Sequence, residues 1–135
     1  MISLSNGRSM PMISLGTHKM NEKDLNNIIS LALDVGYRSF DTAAAYTNER
    51  FLWSILEKEL TKRQMTRESV FIISKLRPAD HGYNKTIDAI KLSASNLGGY
   101  IDMYLVHWPG AAKVKPSNKP LYTLYMLYIC SIHSV

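Results

Sequence analysis

The sequence predicts an α/β fold in which parallel strands alternate with helices. Apolar residues recur at three- and four-residue spacing in three separate stretches, which is the period of an amphipathic helix. Short runs rich in β-branched residues lie between these stretches, and glycines follow the helical stretches at Gly36 and Gly98. Because parallel neighbours need a crossover of about a dozen residues or more, the alternation predicts βαβ units.

The N-terminal segment is typical of a short β-hairpin. Asn6 and Gly7 separate two segments of strand character, and this dipeptide favours a tight hairpin turn. Residues 12–16 form an apolar run closed by Gly16 and Thr17, which predicts a first buried strand that ends at a turn.

Three helices and three further strands follow. The first helix is predicted to begin after Asn21, a favourable N-cap, and to end at Gly36. The other predicted helices cover residues 48–60 and the region around residues 87–97, and the predicted strands are residues 37–41, 70–74 and 101–107. Each of the first three strands is therefore followed by a helix.

Composition narrows the class of protein. Hydrophobic residues make up 46% and charged residues 20% of the 135 residues, so neither disorder nor a fibrous class is indicated. The net charge of +5 is scattered along the chain, so no nucleic-acid partner is expected. Cys130 is the only cysteine, which fits a reducing compartment, and no secretory signal is recognisable near Met1. A cytoplasmic location is expected.

Three polar residues share a topological feature. Asp41, Lys75 and His107 each close a predicted parallel strand, and Tyr46 lies in the loop after the second one. Parallel α/β sheets place their active sites at this end of the strands.

The chemistry that these four residues share is proton delivery to a carbonyl oxygen. A phenol such as that of Tyr46 is a poor acid near neutrality unless a cation such as Lys75 stabilises its phenolate. Asp41 is the natural counter-ion of Lys75, while His107 can donate a hydrogen bond to the substrate or share the proton transfer. A general acid without a neighbouring nucleophile suits hydride reduction, in which a cofactor supplies the other reactant.

Three stretches of the chain stand out as motifs: residues 36–43 with Tyr46, Asn48 and Glu49, residues 71–76 and residues 101–109. In order and spacing they resemble conserved stretches of the aldo-keto reductase family. The resemblance implies a (β/α)8 TIM barrel that reduces aldehydes and ketones with NADPH and without a metal.

The resemblance also implies residue roles. Tyr46 would be the proton donor, Lys75 would make it a stronger acid, Asp41 would pair with Lys75, and His107 would orient the carbonyl. Substrate would meet His107 and Trp108, and the nicotinamide end of the cofactor would meet Gly16, Thr17, His18 and Asp41.

Two positions depart from the family pattern. Trp53 stands where the signature has Gly or Ser, so either the second helix shifts or the ring turns outward. Thr47 replaces the glycine often found after the catalytic tyrosine, which is a milder change.

The extent of the resemblance sets the predicted domains. It runs to Asn118, and the later family signatures have no counterpart, so we expect the N-terminal half of the barrel over residues 1–118. Residues 119–135 would form an unmatched apolar tail, and residues 121–135 are too few to span a bilayer as a helix. We expect a reductase of weak or no activity; the alternative is a non-catalytic barrel fragment that pairs with a full-length relative or with itself through open sheet edges.

Overall fold

The computed structural model describes residues 1–110 as a hairpin followed by a four-stranded parallel sheet with three helices. The strands are β1 (Ile2–Ser3), β2 (Ser9–Met10), β3 (Leu15–Gly16), β4 (Ser39–Asp41), β5 (Phe71–Leu76) and β6 (Met103–Val106), and the helices are α1 (Glu22–Asp34), α2 (Glu49–Lys62) and α3 (Tyr83–Asn96). The predicted tail and Cys130 lie outside the described residues. None of the helices within residues 1–110 is long and apolar enough to cross a membrane.

The hairpin and the first helix are confirmed. Strand β1 pairs antiparallel with β2, and the turn between them contains Gly7 at a φ of +81°. At the start of α1, the side chain of Asn21 accepts from the Asp24 amide while the Asp24 carboxylate accepts from the Asn21 amide. This reciprocal cap satisfies amide groups that the first turn of a helix leaves free. Gly36, at a φ of +97°, then ends the helical segment.

The sheet has the order β3, β4, β5, β6, with every neighbouring pair parallel. Phe40 lies opposite both Leu15 and Ile72 in the register. One face of the sheet packs against the helices through a core that includes Leu25, Leu56 and Ile72, all fully buried. A smaller cluster on the other face joins Phe71, Ile73 and Met103 to Leu4, Met10 and Leu105.

The first two barrel strands are shorter than the sequence predicts. Met12 and Ile13 are 71% and 67% exposed, and only Leu15 and Gly16 pair with β4. The next predicted strand loses its first residues because the amide of Tyr37 donates to the carbonyl of Ala32 and so belongs to the end of α1. Because β4 has only three residues, residues 12–14 have no strand partner within residues 1–110.

Trp53 is accommodated by a glycine on another element. The side chain of Trp53 is half-buried on the helix-facing core, so the ring does not turn fully outward. A Cβ added at Gly98 would lie 2.7 Å from Cε2 of the indole, and Gly98 has a φ of +84°. The absent side chain of Gly98 therefore provides the space that the ring of Trp53 occupies.

An ion pair fixes the segment that leads into β6. The guanidinium of Arg67 donates to the carboxylate of Asp102 at 2.9 Å and to the carbonyl oxygens of Leu97, Val70 and Tyr100. The same Asp102 oxygen accepts from the amide of Ile72 on β5. Both charged side chains are largely buried, and each has several hydrogen-bond partners, as burial of a charge requires.

Candidate active site

The polar residues predicted at strand ends come together at one end of the sheet. Asp41 is the last residue of β4, and His107 directly follows β6. The sequence predicts that Lys75 closes its strand, but β5 continues for one more residue, through Leu76. Tyr46 ends a single 3-10 turn, Ala44–Tyr46, which follows β4.

The ammonium group of Lys75 is the centre of the arrangement. Its Nζ lies 2.5 Å from Oδ1 of Asp41, 2.9 Å from the carbonyl oxygen of Thr42 and 3.2 Å from the phenol oxygen of Tyr46. A lysine ammonium has three donor hydrogens, so these three contacts use its full capacity. The Lys75 side chain is only 14% exposed, which strengthens its interaction with the carboxylate.

Aromatic rings surround the phenol of Tyr46. The ring of His18 lies 4.8 Å from it, centroid to centroid, and the ring of His107 lies 5.6 Å away in an edge-on arrangement. Trp108 stacks on His107 at 6.5 Å with an interplanar angle of 16° and is 63% exposed. An exposed side chain of that size beside His107 is in a position to meet a ligand.

The surroundings of His107 favour the neutral form of its imidazole. Burial lowers the pKa of its imidazole, and the positive charge of Lys75 lowers it further. Nδ1 of His107 is buried and has no hydrogen-bond partner among the described residues. A neutral imidazole carries one N–H donor, which is what a group that orients a carbonyl oxygen requires.

Of the four residues predicted to meet the cofactor, Gly16, Thr17 and His18 differ in what they expose. Gly16 and His18 are exposed, and nothing lies within 4 Å of a Cβ position at Gly16. Thr17 is fully buried, and both its amide and its hydroxyl donate to the carbonyl oxygen of Asp41. The side chain of Thr17 thus links β3 to β4, and the open surface is formed by its two neighbours.

Sequence reasoning missed a set of buried polar contacts beneath these residues. Asn48 donates to two carbonyl oxygens and accepts from the hydroxyl of Thr42, while Ser74 donates to the carboxylate of Glu49 at 2.6 Å. Asn48, Glu49, Thr42 and Ser74 are all buried. The signal was present, since Asn48 and Glu49 belong to the first motif, but a motif alone does not reveal hydrogen-bond partners.

Within residues 1–110, no group of three or more His, Cys, Asp or Glu side chains is arranged to hold an ion. The charged partner of Asp41 is a lysine.

Comparison with known proteins decides the family. The model described as "Aldo/keto reductase family" matches residues 11–131. The chain belongs to the aldo/keto reductase family. The match continues past residue 118, where the sequence resemblance was expected to end, and the predicted division at that point stays a prediction.

Two curated proteins are clearly similar to this chain. An uncharacterized oxidoreductase, YtbE, of Bacillus subtilis is 41% identical over 125 residues, which are 91% of this chain and 45% of that protein. The aldo-keto reductase family 1 member A1-A of Danio rerio is 39% identical over 82% of this chain and 35% of its own length. The chain thus spans less than half the length of these relatives.

Solved structures confirm the predicted fold class. The aldose reductase of Schistosoma japonicum superposes with a TM-score of 0.76 at 36% identity, over 80% of this chain and 36% of that one. An aldo-keto reductase of Bombyx mori, solved in complex with NADP, gives a TM-score of 0.76 at 31% identity, over 88% of this chain and 40% of that one. The four parallel strands with their helices are therefore part of an aldo/keto reductase barrel.

Proposed function

We propose that this chain carries the proton-delivery site of an NADPH-dependent oxidoreductase that reduces aldehydes and ketones to alcohols. The observation that carries the proposal is the position of Lys75, whose Nζ contacts both the carboxylate of Asp41 and the phenol oxygen of Tyr46. The fourth residue, His107, lies beside the same phenol. Family membership supports carbonyl chemistry at this group of side chains.

Tyr46 is the proton donor in this proposal. The substrate oxygen accepts a hydrogen bond from the phenol, and the phenol transfers its proton as negative charge develops on that oxygen. Lys75 stabilises the resulting phenolate through the 3.2 Å contact, and Asp41 keeps the ammonium charged and oriented. Reduction then adds one hydride to the carbonyl carbon and one proton to the oxygen, which gives the alcohol.

His107 and Trp108 bind and orient the substrate. The lowered pKa of His107 keeps its imidazole neutral near pH 7, so that an N–H can donate to the carbonyl oxygen without competing as a proton source. Trp108 is mostly exposed beside His107 and provides an apolar wall for the carbon skeleton.

The exposed turn after β3 fits the nicotinamide end of NADPH. Gly16 leaves open space where a Cβ would stand, so a flat ring can approach the backbone, and His18 extends this surface towards Tyr46. In this proposal Gly16 and His18 would contact the ring on the side of Asp41 and Tyr46, and the buried Thr17 would fix the backbone between them through its bond to the Asp41 carbonyl oxygen. Bound NADPH supplies the hydride that the protein side chains cannot provide. The relative solved with NADP supports the choice of cofactor.

Substitution of Tyr46 by Phe tests the proposal. We expect the rate of NADPH oxidation with an aldehyde to fall about 10²- to 10⁴-fold, the usual contribution of a positioned general acid, while cofactor binding is retained. Tyr83→Phe is the matched control, because that phenol is 83% exposed and should not affect the rate. Unchanged activity in Tyr46→Phe would remove this residue from the mechanism. No turnover by the unaltered chain would instead favour the alternative, a non-catalytic barrel fragment.

A further inference from the structure

Asn48 precedes α2 in a position where asparagine normally caps a helix. The oxygen of an N-cap side chain usually accepts from a backbone amide in the first turn. Asn48 does not do this, and its side chain makes no capping hydrogen bond to α2. The usual reason for an asparagine at this position therefore does not apply.

The side chain of Asn48 instead makes three hydrogen bonds elsewhere. Nδ2 donates to the carbonyl oxygens of Thr17 and Met20, each at 2.9 Å, and Oδ1 accepts from the hydroxyl of Thr42 at 2.9 Å. Two carbonyls on one side and a hydroxyl on the other also fix the orientation of the amide. With 3% of its surface exposed, Asn48 has no access to water as an alternative partner.

Both ends of this contact set lead to the proposed proton-delivery residues. Thr42 presents its own carbonyl oxygen to the ammonium of Lys75 at 2.9 Å. Thr17 donates to the carbonyl oxygen of Asp41 through its amide and its hydroxyl. Asn48 thus bonds to Thr42, which contacts Lys75, and to Thr17, which contacts the carbonyl of Asp41. It touches neither the Lys75 nor the Asp41 side chain.

We infer that Asn48 is a positioning residue, which aligns Lys75 and Asp41 with the phenol of Tyr46 by fixing the backbone at Thr42 and Thr17. This inference rests on the proposed function. An amide is suited to the task because it joins donors and an acceptor in one rigid plane. A shift of the Thr42 carbonyl would change the direction in which Lys75 points its third hydrogen, and displacements of about 1 Å can cost about a hundredfold in rate.

Two substitutions separate positioning from simple stability. Asn48→Ala removes all three contacts, and Thr42→Val removes only the hydroxyl and keeps the carbonyl that Lys75 uses. Asn26→Ala is the control, because Asn26 is an exposed asparagine that bonds the carbonyl of Glu22 at 2.9 Å. All are measured well below their melting temperatures, where each folded protein predominates.

The rate and the environment of the Lys75 ammonium are the two readouts. We expect kcat for aldehyde reduction to fall at least about tenfold in Asn48→Ala and by a smaller factor in Thr42→Val, with KM little changed. In proton–nitrogen NMR spectra of the lysine ammonium groups, the Lys75 signal should shift or broaden in both variants and remain unchanged in Asn26→Ala.

Unchanged kcat together with an unchanged Lys75 signal, in folded protein, would overturn the inference and leave Asn48 with a structural role only. If Asn48→Ala does not fold, Thr42→Val decides by the same criteria. If the unaltered chain reduces no carbonyl compound, the proposed function fails, whereas the Lys75 signal still tests whether Asn48 positions the ammonium.

Discussion

Lys75 reaches from β5 to Asp41 on the neighbouring strand β4, where its Nζ lies 2.5 Å from Oδ1. The register explains the contact. Asp41 lies opposite Ile73, and Lys75 follows two residues later on the same face of the sheet. A long side chain can cover this diagonal distance, so two short polar stretches that are far apart in sequence form one charged pair.

The first prediction concerns this pair. Lys75→Met should lower kcat/KM for carbonyl reduction at least about a hundredfold, because the phenolate of Tyr46 loses its stabilising cation. Steady-state kinetics measure the change. Lys62→Met is the control: it also removes a lysine 2.5 Å from a carboxylate, that of Glu59, but the Lys62 side chain is 68% exposed. Equal losses in the two variants would contradict a specific role for Lys75.

The second prediction concerns the pH dependence of stability. Because the pKa of His107 is lowered in the folded protein, the unfolded chain binds a proton more readily than the folded one. The stabilising contribution should be fully present above about pH 6.5, the usual histidine value, and should be lost as the pH falls towards the lowered pKa. Urea unfolding from pH 5 to 8 gives the free energy of unfolding of the unaltered chain and of His107→Gln. Plotted against pH, the two free energies should diverge over this window. Parallel curves would show that His107 does not contribute.

The third prediction concerns the contact between Gly98 and Trp53. Gly98→Ala should cost about 1–2 kcal/mol for its backbone conformation and about 1–3 kcal/mol more for overlap with the indole. Gly99→Ala is the control, since Gly99 has a φ of +98° and open space around it. In a Trp53→Ala background, Gly98→Ala and Gly99→Ala should lower the free energy of unfolding by similar amounts, as measured by thermal and chemical unfolding. A persistent difference would contradict the proposed overlap.

The fourth prediction concerns the residue after Tyr46. Thr47 has a φ of +59°, in the left-handed region that a β-branched residue rarely adopts. Thr47→Gly relieves about 1–2 kcal/mol of strain and loses about 0.5–1 kcal/mol through the freedom of glycine in the unfolded chain, so the free energy of unfolding should rise by up to about 1.5 kcal/mol. Thr61→Gly, in the regular helix α2, should lower it instead. Destabilisation at both positions would contradict the assignment of strain to Thr47.

Periodicity predicted which elements form, but not where each one ends. The capped start of α1 at Asn21 could be predicted because capping depends on neighbouring residues. The shortness of β3, the first strand of the parallel sheet, could not be predicted. It depends on how far the neighbouring strand β4 extends, and Met12 and Ile13 are exposed where β4 does not pair with them.

The grouping of the candidate residues at one end of the sheet could be predicted, but their supporting contacts could not. Asp41, Lys75 and His107 could be grouped from sequence because parallel strands end at the same edge of a sheet. The hydrogen bonds of Asn48 could not be predicted. An asparagine before a helix indicates an N-cap, whereas the partners of Asn48 lie in another loop. Self-association through sheet edges and a cytoplasmic location stay predictions.

Because Lys75 lies diagonally across from Asp41, their ion pair can form only when β4 and β5 pair in the native register. Successive side chains of β5 alternate sides: Ser74 bonds to Glu49 on the helix side, whereas Lys75 bonds to Asp41. A slip of one residue along β5 would exchange these sides, separate Lys75 from Asp41 and bury its ammonium on the helix side of the sheet. Misaligned sheets should therefore be disfavoured by the same lysine that the proposed reaction uses, so that correct strand pairing and the proposed reactivity would depend on one side chain.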